Sequence, residues 1–293
     1  MSWNLMKYKP VFFAISLLLL VPSILSLLFF GLKPNIDFTG GSLLELAITD
    51  PQLQAGETAI TDQVEKVYEL ESVQPAEGGH FILRGKSITN QQKLEIIEVL
   101  QQQFERVEEV RFETVGPILG RELVVKTITA VVIVSVLIIL YVWHQFKDLK
   151  FGVCAILGMF HDSLILLGAF SFLGYFYGVE VDVLFVTALL TTLSFSIHDT
   201  IVIYDRIREL SQEKSSLSFA DTANLAVLET LARSINNSVT IILMLAALVW
   251  LGGETIKWFG VALLIGAVAG TYSSTFTAVP LLVQWDQWQQ KKD

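Results

Sequence analysis

Six stretches of this sequence are each apolar for about the 17–25 residues that a helix needs to cross a bilayer. They are Val11–Leu32, Leu123–Trp143, Phe151–Tyr177, Val183–Tyr204, Ser234–Leu251 and Thr255–Val283. The third and sixth are long enough to tilt or to carry an interfacial turn. The fifth is the weakest, because Asn236, Asn237 and Ser238 occupy its first turn. The composition agrees: 53% apolar, 17% charged and a mean hydropathy of +0.57, where soluble domains carry about 25% charge. These values exclude a disordered chain, a disulfide scaffold and most soluble enzymes. Cys154, the single cysteine, cannot form an intramolecular disulfide. With 29 acidic against 20 basic residues there is no basic patch for nucleic acid. The chain reads as an α-helical integral membrane protein.

The first stretch follows Lys7 and Lys9, as a signal peptide would. Its apolar run exceeds the roughly 7–15 residues of a signal core, and no small-x-small site follows it. A retained helix is expected. Short loops then fix the orientation through Lys and Arg. Lys7, Lys9, Lys147, Lys150, Arg206, Arg208, Lys214, Arg233, Lys291 and Lys292 fall on one side, and Lys257 alone on the other. Both termini are therefore expected in the cytoplasm.

The negative charge is concentrated between the first two spans. Residues 33–122 hold 16 Asp/Glu and 8 Lys/Arg, nearly the whole net charge of −9. The expected division is 1–32 for the N-tail and first span, 33–122 for an exported domain, and 123–285 for five further spans. A cytoplasmic loop at 205–233 lies within that bundle, and 286–293 form a C-terminal tail.

In the exported block, Gly41–Ile48 reads as a strand bounded by Gly40-Gly41 and Asp50-Pro51. Ile60, Val64, Val67 and Leu70 share one helical face. Phe81–Leu83 follows a Glu77-Gly78-Gly79 turn as a short strand. Leu94, Ile97, Leu100 and Phe104 mark a second helix that Thr89 or Asn90 caps, and Val107–Val115 alternates like a half-exposed strand. The expected order is β-α-β-α-β, a small α+β domain. Without a Cys/His cluster, a phosphate loop or a nucleophile elbow, it reads as a docking or handling domain.

Polar residues inside the spans carry the functional signal, since a charge at the bilayer centre costs about 2.5–3.5 kcal/mol even on insertion scales. In the fourth span Thr192, Ser196 and Asp199 share a face, with Thr200 beside them, and Thr187, Thr191, Ser194 and His198 form an adjacent stripe. This polar wedge points into a bundle or a wet cavity. Asp199 lies about 24 Å down the helix from Val183, at a depth matching Arg233 at the start of the fifth span. A carboxylate–guanidinium pair is expected, as either a moving proton switch or a static ion pair, the alternative being an Asp199 that snorkels to the interface. His161-Asp162 sits about 16 Å into the third span from its cytoplasmic end. Either residue could relay protons, as could His198 beside Asp199, although neighbouring side chains on a helix point in different directions, and a plain polar contact to another helix fits equally. Metal sites need three or four convergent ligands, so His161 and His198, even if they meet, are not expected to hold one. Lys126 is expected to snorkel outward. Gly266-x-x-x-Gly270, with Ser273, Ser274 and Thr277, forms a small-residue face of the kind that packs helices closely.

One helix, an exported domain and five more helices resemble the half-unit of resistance–nodulation–division (RND) transporters, and more closely the SecF family. The resemblance rests on residues 36–41 (Ile-Asp-Phe-Thr-Gly-Gly), 115–123 (Val-Gly-Pro-Ile-Leu-Gly-Arg-Glu-Leu) and Phe160-His161-Asp162. It continues through Val181-Asp182-Val183, Ser196-Ile197-His198-Asp199-Thr200, Arg206-Ile207-Arg208-Glu209, 230–235 (Thr-Leu-Ala-Arg-Ser-Ile) and 270–274 (Gly-Thr-Tyr-Ser-Ser). Ser194-Phe195 stands where Gly-Tyr is usual, and Asn236-Asn237-Ser238 where x-Thr-Ser is common. The resemblance implies six transmembrane helices in an RND-type half bundle. It implies a non-enzymatic subunit, without cofactors, driven by a proton or sodium gradient. Such a subunit works with a SecD-like subunit and the SecYEG channel on translocating preproteins, in a bacterial inner membrane or another energised membrane such as the thylakoid. It places Asp199 and Arg233 in the proton path, with a further carboxylate supplied by SecD. The motifs at Asp37, Gly40 and Gly41 and at Gly116, Pro117 and Gly120 would brace the join between helix and exported domain. Two other functions fit the residues: half of a small-molecule or lipid exporter, and a purely structural assembly subunit of a translocase.

Overall fold

The computed structural model describes residues 4–49, 56–76, 79–146, 148–213 and 217–291. Asp50-Pro51, Glu77-Gly78, Lys147, Lys214 and Lys292, used above as turn or charge signals, lie outside the described residues. The described residues contain six helices long and apolar enough to cross a membrane. Two compact units divide the chain: Pro34–Ile128, and Met1–Lys33 with Thr129–Asp293.

The first unit begins with α2 (Ile36–Thr39) and continues β1 (Gly41–Thr49), α3 (Gly56–Val64), β2 (Leu70–Ala76), β3 (His80–Gly85), α4 (Asn90–Gln101) and β4 (Arg106–Val115). Its antiparallel sheet has the order β2-β3-β1-β4, the split β-α-β-β-α-β arrangement. The sheet has four strands where the order β-α-β-α-β has three. Helix α3 stops at Val64, and Leu70 opens β2 instead of extending the helix. That strand sits at the sheet edge, where a proline such as Pro75 is tolerated. Leu44, Leu46, Ile48, Phe81 and Leu83 alternate onto one sheet face and pack against Ile60, Val64, Ile96 and Leu100. The α4 face is thus centred on Ile96 and Leu100, while Leu94 is exposed. Thr89 caps α4 in a reciprocal capping box with Gln92.

Within the same unit, Gly40 ends α2 at φ +72°, and a Cβ there would lie 2.9 Å from the Pro117 Cα. A Cβ on Gly120 would likewise come 2.9 Å from the Gly40 nitrogen. The Asp37–Gly41 and Gly116–Gly120 motifs are therefore packed backbone to backbone.

The helices of the second unit are α1 (Lys9–Phe29), α5 (Pro117–Phe146, within which the boundary falls), α6 (Leu149–Tyr177), α7 (Val183–Glu213), α8 (Phe219–Leu251) and α9 (Glu254–Ser273). A π-helical turn, Ser274–Ala278, joins α9 to α10 (Val279–Gln290). Helices satisfy their own backbone groups, as hydrocarbon requires. Asp148, Asp182 and Ser218 accept N–H groups at the starts of α6, α7 and α8. Much of 205–233 is helical, continuing α7 to Glu213 and starting α8 at Phe219. Lys126 pairs with Glu122 one turn earlier, at 2.7 Å. Two apolar clusters hold this bundle, one around Tyr204 and one around Phe170 and Phe185.

Candidate functional site

The polar wedge of α7 divides into two faces with different fates. Thr192, Ser196, Asp199 and Thr200 are buried, whereas Thr187, Thr191, Ser194 and His198 are exposed. The division follows from helix packing. A Cβ on Gly266 would lie 2.0 Å from the Thr192 Cγ2, and one on Gly270 would lie 3.3 Å from the Ser196 Cα. The two glycines of α9 thus let its backbone approach the buried stripe.

Asp199 is 5% exposed. Its Oδ2 accepts a hydrogen bond from Ser234 Oγ of α8 and another from Ser274 Oγ of the π turn, at 3.1 Å for the latter. Hydrogen bonds to a charged group are worth about 1.5–3 kcal/mol each, so two hydroxyls offset part of the cost of burying this carboxylate. The expected ion pair with Arg233 is not formed among the described residues. Consecutive helical residues point about 100° apart. Because Ser234 is the residue turned to Asp199, Arg233 is turned to the exposed surface of α8 beside Asn236 and Asn237.

A second carboxylate is held in the same way. Asp162 Oδ2 accepts from Ser196 Oγ and Ser273 Oγ, both at 2.5 Å. Its Oδ1 lies 2.9 Å from His161 Nδ1. Adjacent side chains on α6 were expected to diverge, yet the imidazole folds back onto its neighbour and lies 6.3 Å from the Tyr272 ring, centroid to centroid. Of the two histidines weighed for a metal, His161 is buried and His198 exposed.

Ser273 and Ser274 therefore do more than permit close packing: consecutive residues clasp one carboxylate each. Ser234 is a site residue beyond those expected from the sequence. Its signal was the recurrence of Thr230, Ser234 and Ser238 every four residues, all three buried. Ser238 extends the network by accepting from Thr271 Oγ1 at 2.7 Å. The π turn is anchored on both sides, by Ser16 Oγ against Thr277 Oγ1 at 2.9 Å and by Tyr204 Oη donating to the Ala278 carbonyl at 2.9 Å. Such turns break the regular ladder and recur at functional sites.

Residues 95–288 match the family model described as "Protein export membrane protein SecD/SecF, C-terminal". The SecF protein translocase subunit of Thermobaculum terrenum is 38% identical over 97% of this chain and 94% of its own length. The chain belongs to the SecD/SecF family. Its other relatives include the SecF subunit of Anaerolinea thermophila, 35% identical over 98% of this chain and 96% of that one. The crystal structure of SecDF from Thermus thermophilus, titled a translocon-associated membrane protein, superposes with a TM-score of 0.83 at 30% identity. A SecDF structure in a super-membrane-facing form gives 0.72 at 31% identity. This SecD/SecF-family chain covers 98% and 100% of itself in these matches, but only 39% and 40% of the SecDF chains. It thus corresponds in length to the SecF subunits and to about two-fifths of a SecDF chain.

Proposed function

We propose that this chain is the SecF-type subunit of an accessory complex that uses the proton-motive force to promote preprotein translocation through a Sec channel, without enzymatic activity or a cofactor of its own. The observation that carries the reading is Asp199: a buried carboxylate in a membrane-spanning helix, held by hydroxyls from two other helical segments and unpaired with the arginine at its depth. Protonating it removes a charge and weakens two charge-assisted bonds, which favours rearrangement of α7 against α8 and the π turn. Moving one charge through 100 mV supplies about 2.3 kcal/mol, and that shifts a two-state equilibrium about 50-fold.

The exposed stripe gives a place for the partner. Thr187 and Thr191 donate to their own i−4 carbonyls at 3.0 and 2.7 Å, so their hydroxyls tolerate lipid. His198 and Arg233 have no such internal partner among the described residues, and exposed ionisable groups in a membrane call for a polar cover. A SecD-type subunit bringing its own carboxylate supplies one. The membrane is the energised inner membrane of a bacterial-type cell, with both termini on the cytoplasmic side.

The test is Asp199→Asn and Arg233→Met, each co-expressed with the SecD-type subunit. Preprotein translocation into membrane vesicles is measured with and without a proton-motive force. Loss of the force-dependent increment, with co-purification retained, supports the reading. Unchanged translocation in both variants overturns it and leaves an assembly role.

A further inference from the structure

His161 carries chemistry that the Asp199 site does not use. Its ring is 4% exposed, yet Nε2 has no hydrogen-bond partner in the structure. Buried polar atoms are nearly always satisfied, so an orphan of this kind calls for a reason. The neighbouring bonds define its chemistry. An ionised carboxylate only accepts, and Asp162 is met by three groups able to donate: Ser196 Oγ, Ser273 Oγ and His161 Nδ1. With Nδ1–H facing Asp162, the neutral imidazole keeps its lone pair on Nε2. The ring is thus a neutral base with a free acceptor site and a counter-ion already bonded to its other nitrogen.

We infer that His161 and Asp162 form a second proton-binding site, in which His161 Nε2 takes up the proton, Asp162 balances the imidazolium, and the Ser273–Ser274 pair couples the site to Asp199. The inference rests on reading the chain as a proton-driven subunit. In the loading step one N–H bond forms at Nε2 and no other covalent bond changes; the proton comes from water and returns to it. The charge of the His161–Asp162 unit goes from −1 to zero, which weakens the hold of Asp162 on Ser273. Ser274 is the next residue, so a displacement of this turn alters the clasp on Asp199.

The titratable groups around the ring are few. From α9, Tyr272 stacks on it and donates its hydroxyl to the Phe12 carbonyl at 2.8 Å. On α7 the buried carboxylate of the network is Asp199, held by Ser234 and Ser274. Lys9 of α1 is engaged by Gln284 and Gln287, and Asp286 of α10 by Lys150.

The chain has four histidines, of which His144 and His198 are exposed and His80 lies on the exported sheet. Replacing those three by Gln leaves His161 as the sole imidazole without touching its surroundings. Nitrogen NMR of this full-length variant in lipid bilayers, from about pH 4 to pH 9, spans the range over which histidines titrate. The expected result is a neutral ring protonated at Nδ1 at high pH, which becomes doubly protonated on acidification. Adding Asp199→Asn is expected to move the midpoint by about fivefold or more in proton affinity, the lower end of typical allosteric couplings. A His161 signal unchanged across the range, or a neutral ring protonated at Nε2, overturns the site. A midpoint indifferent to Asp199→Asn overturns the coupling. Because the readout is the nitrogen itself, a titrating His161 stands even if translocation proves independent of Asp199.

Discussion

Gly266→Ala tests the packing that buries the α7 stripe. The added Cβ would lie 2.0 Å from the Thr192 Cγ2 and 2.5 Å from its Cβ. Carbon atoms rest about 3.5–4.0 Å apart, so α7 and α9 must separate locally by roughly 1.5 Å or Thr192 must leave its rotamer. Overpacking of this kind costs about 1–3 kcal/mol, or about 5- to 150-fold in a folding equilibrium. The second variant is Thr192→Gly, which removes both clashing atoms and costs about 0.3–0.5 kcal/mol on its own through helix propensity, since Thr is itself a poor helix former. Combined with Gly266→Ala it should recover most of the loss, whereas Thr192→Ala leaves a Cβ at the 2.5 Å position and should recover less. The assay is a double-mutant cycle on detergent-induced unfolding in mixed micelles. A Gly266→Ala chain within about 0.5 kcal/mol of the parent, or strictly additive changes in the cycle, would refute the reasoning.

Two further outcomes are expected in the exported domain. Burial first, then the nearby Glu71 and Glu69, push the Tyr68 phenol up from 10.0 to about 12; its hydroxyl donates to the Lys86 carbonyl. A raised pKa means that the folded state holds this proton more tightly. Its contribution is therefore complete below pH 10 and is lost as pH rises through about 12; alkaline unfolding of the full chain should be shallower in Tyr68→Phe. Leu46 is wholly buried at the centre of the sheet, so Leu46→Ala should cost about 2–5 kcal/mol, read as faster proteolysis of residues 34–116 with the membrane helices intact.

The membrane helices were legible because hydrocarbon imposes a length and a composition that no other element shares. The exported strands β1, β3 and β4 showed the same clarity through alternation and glycine boundaries. Strand β2 did not, because Val67 and Leu70 continue the spacing of Ile60 and Val64 by coincidence, and Glu71 and Pro75 dilute any strand signal. At the site, sequence periodicity gave the stripe carrying Asp199 and the glycines that meet it. It could not give the rotation of α8, which decides whether Arg233 or Ser234 faces the carboxylate, a difference of one residue. Nor could it show the π turn, since that register depends on anchors as distant in sequence as Ser16 and Tyr204. Ser273 and Ser274 looked like spacers for the same reason: a small residue and a hydroxyl donor are the same letter until the neighbouring helix is in place.

The central claim is that Asp199 links a proton to motion in this bundle. The most direct measurement is proton entry into liposomes that hold the chain with its SecD-type partner, under an imposed potential and reported by an internal pH dye. Asp199→Asn should abolish the potential-driven entry while the two subunits still co-purify. Proton entry at the parental rate in that variant would contradict the account.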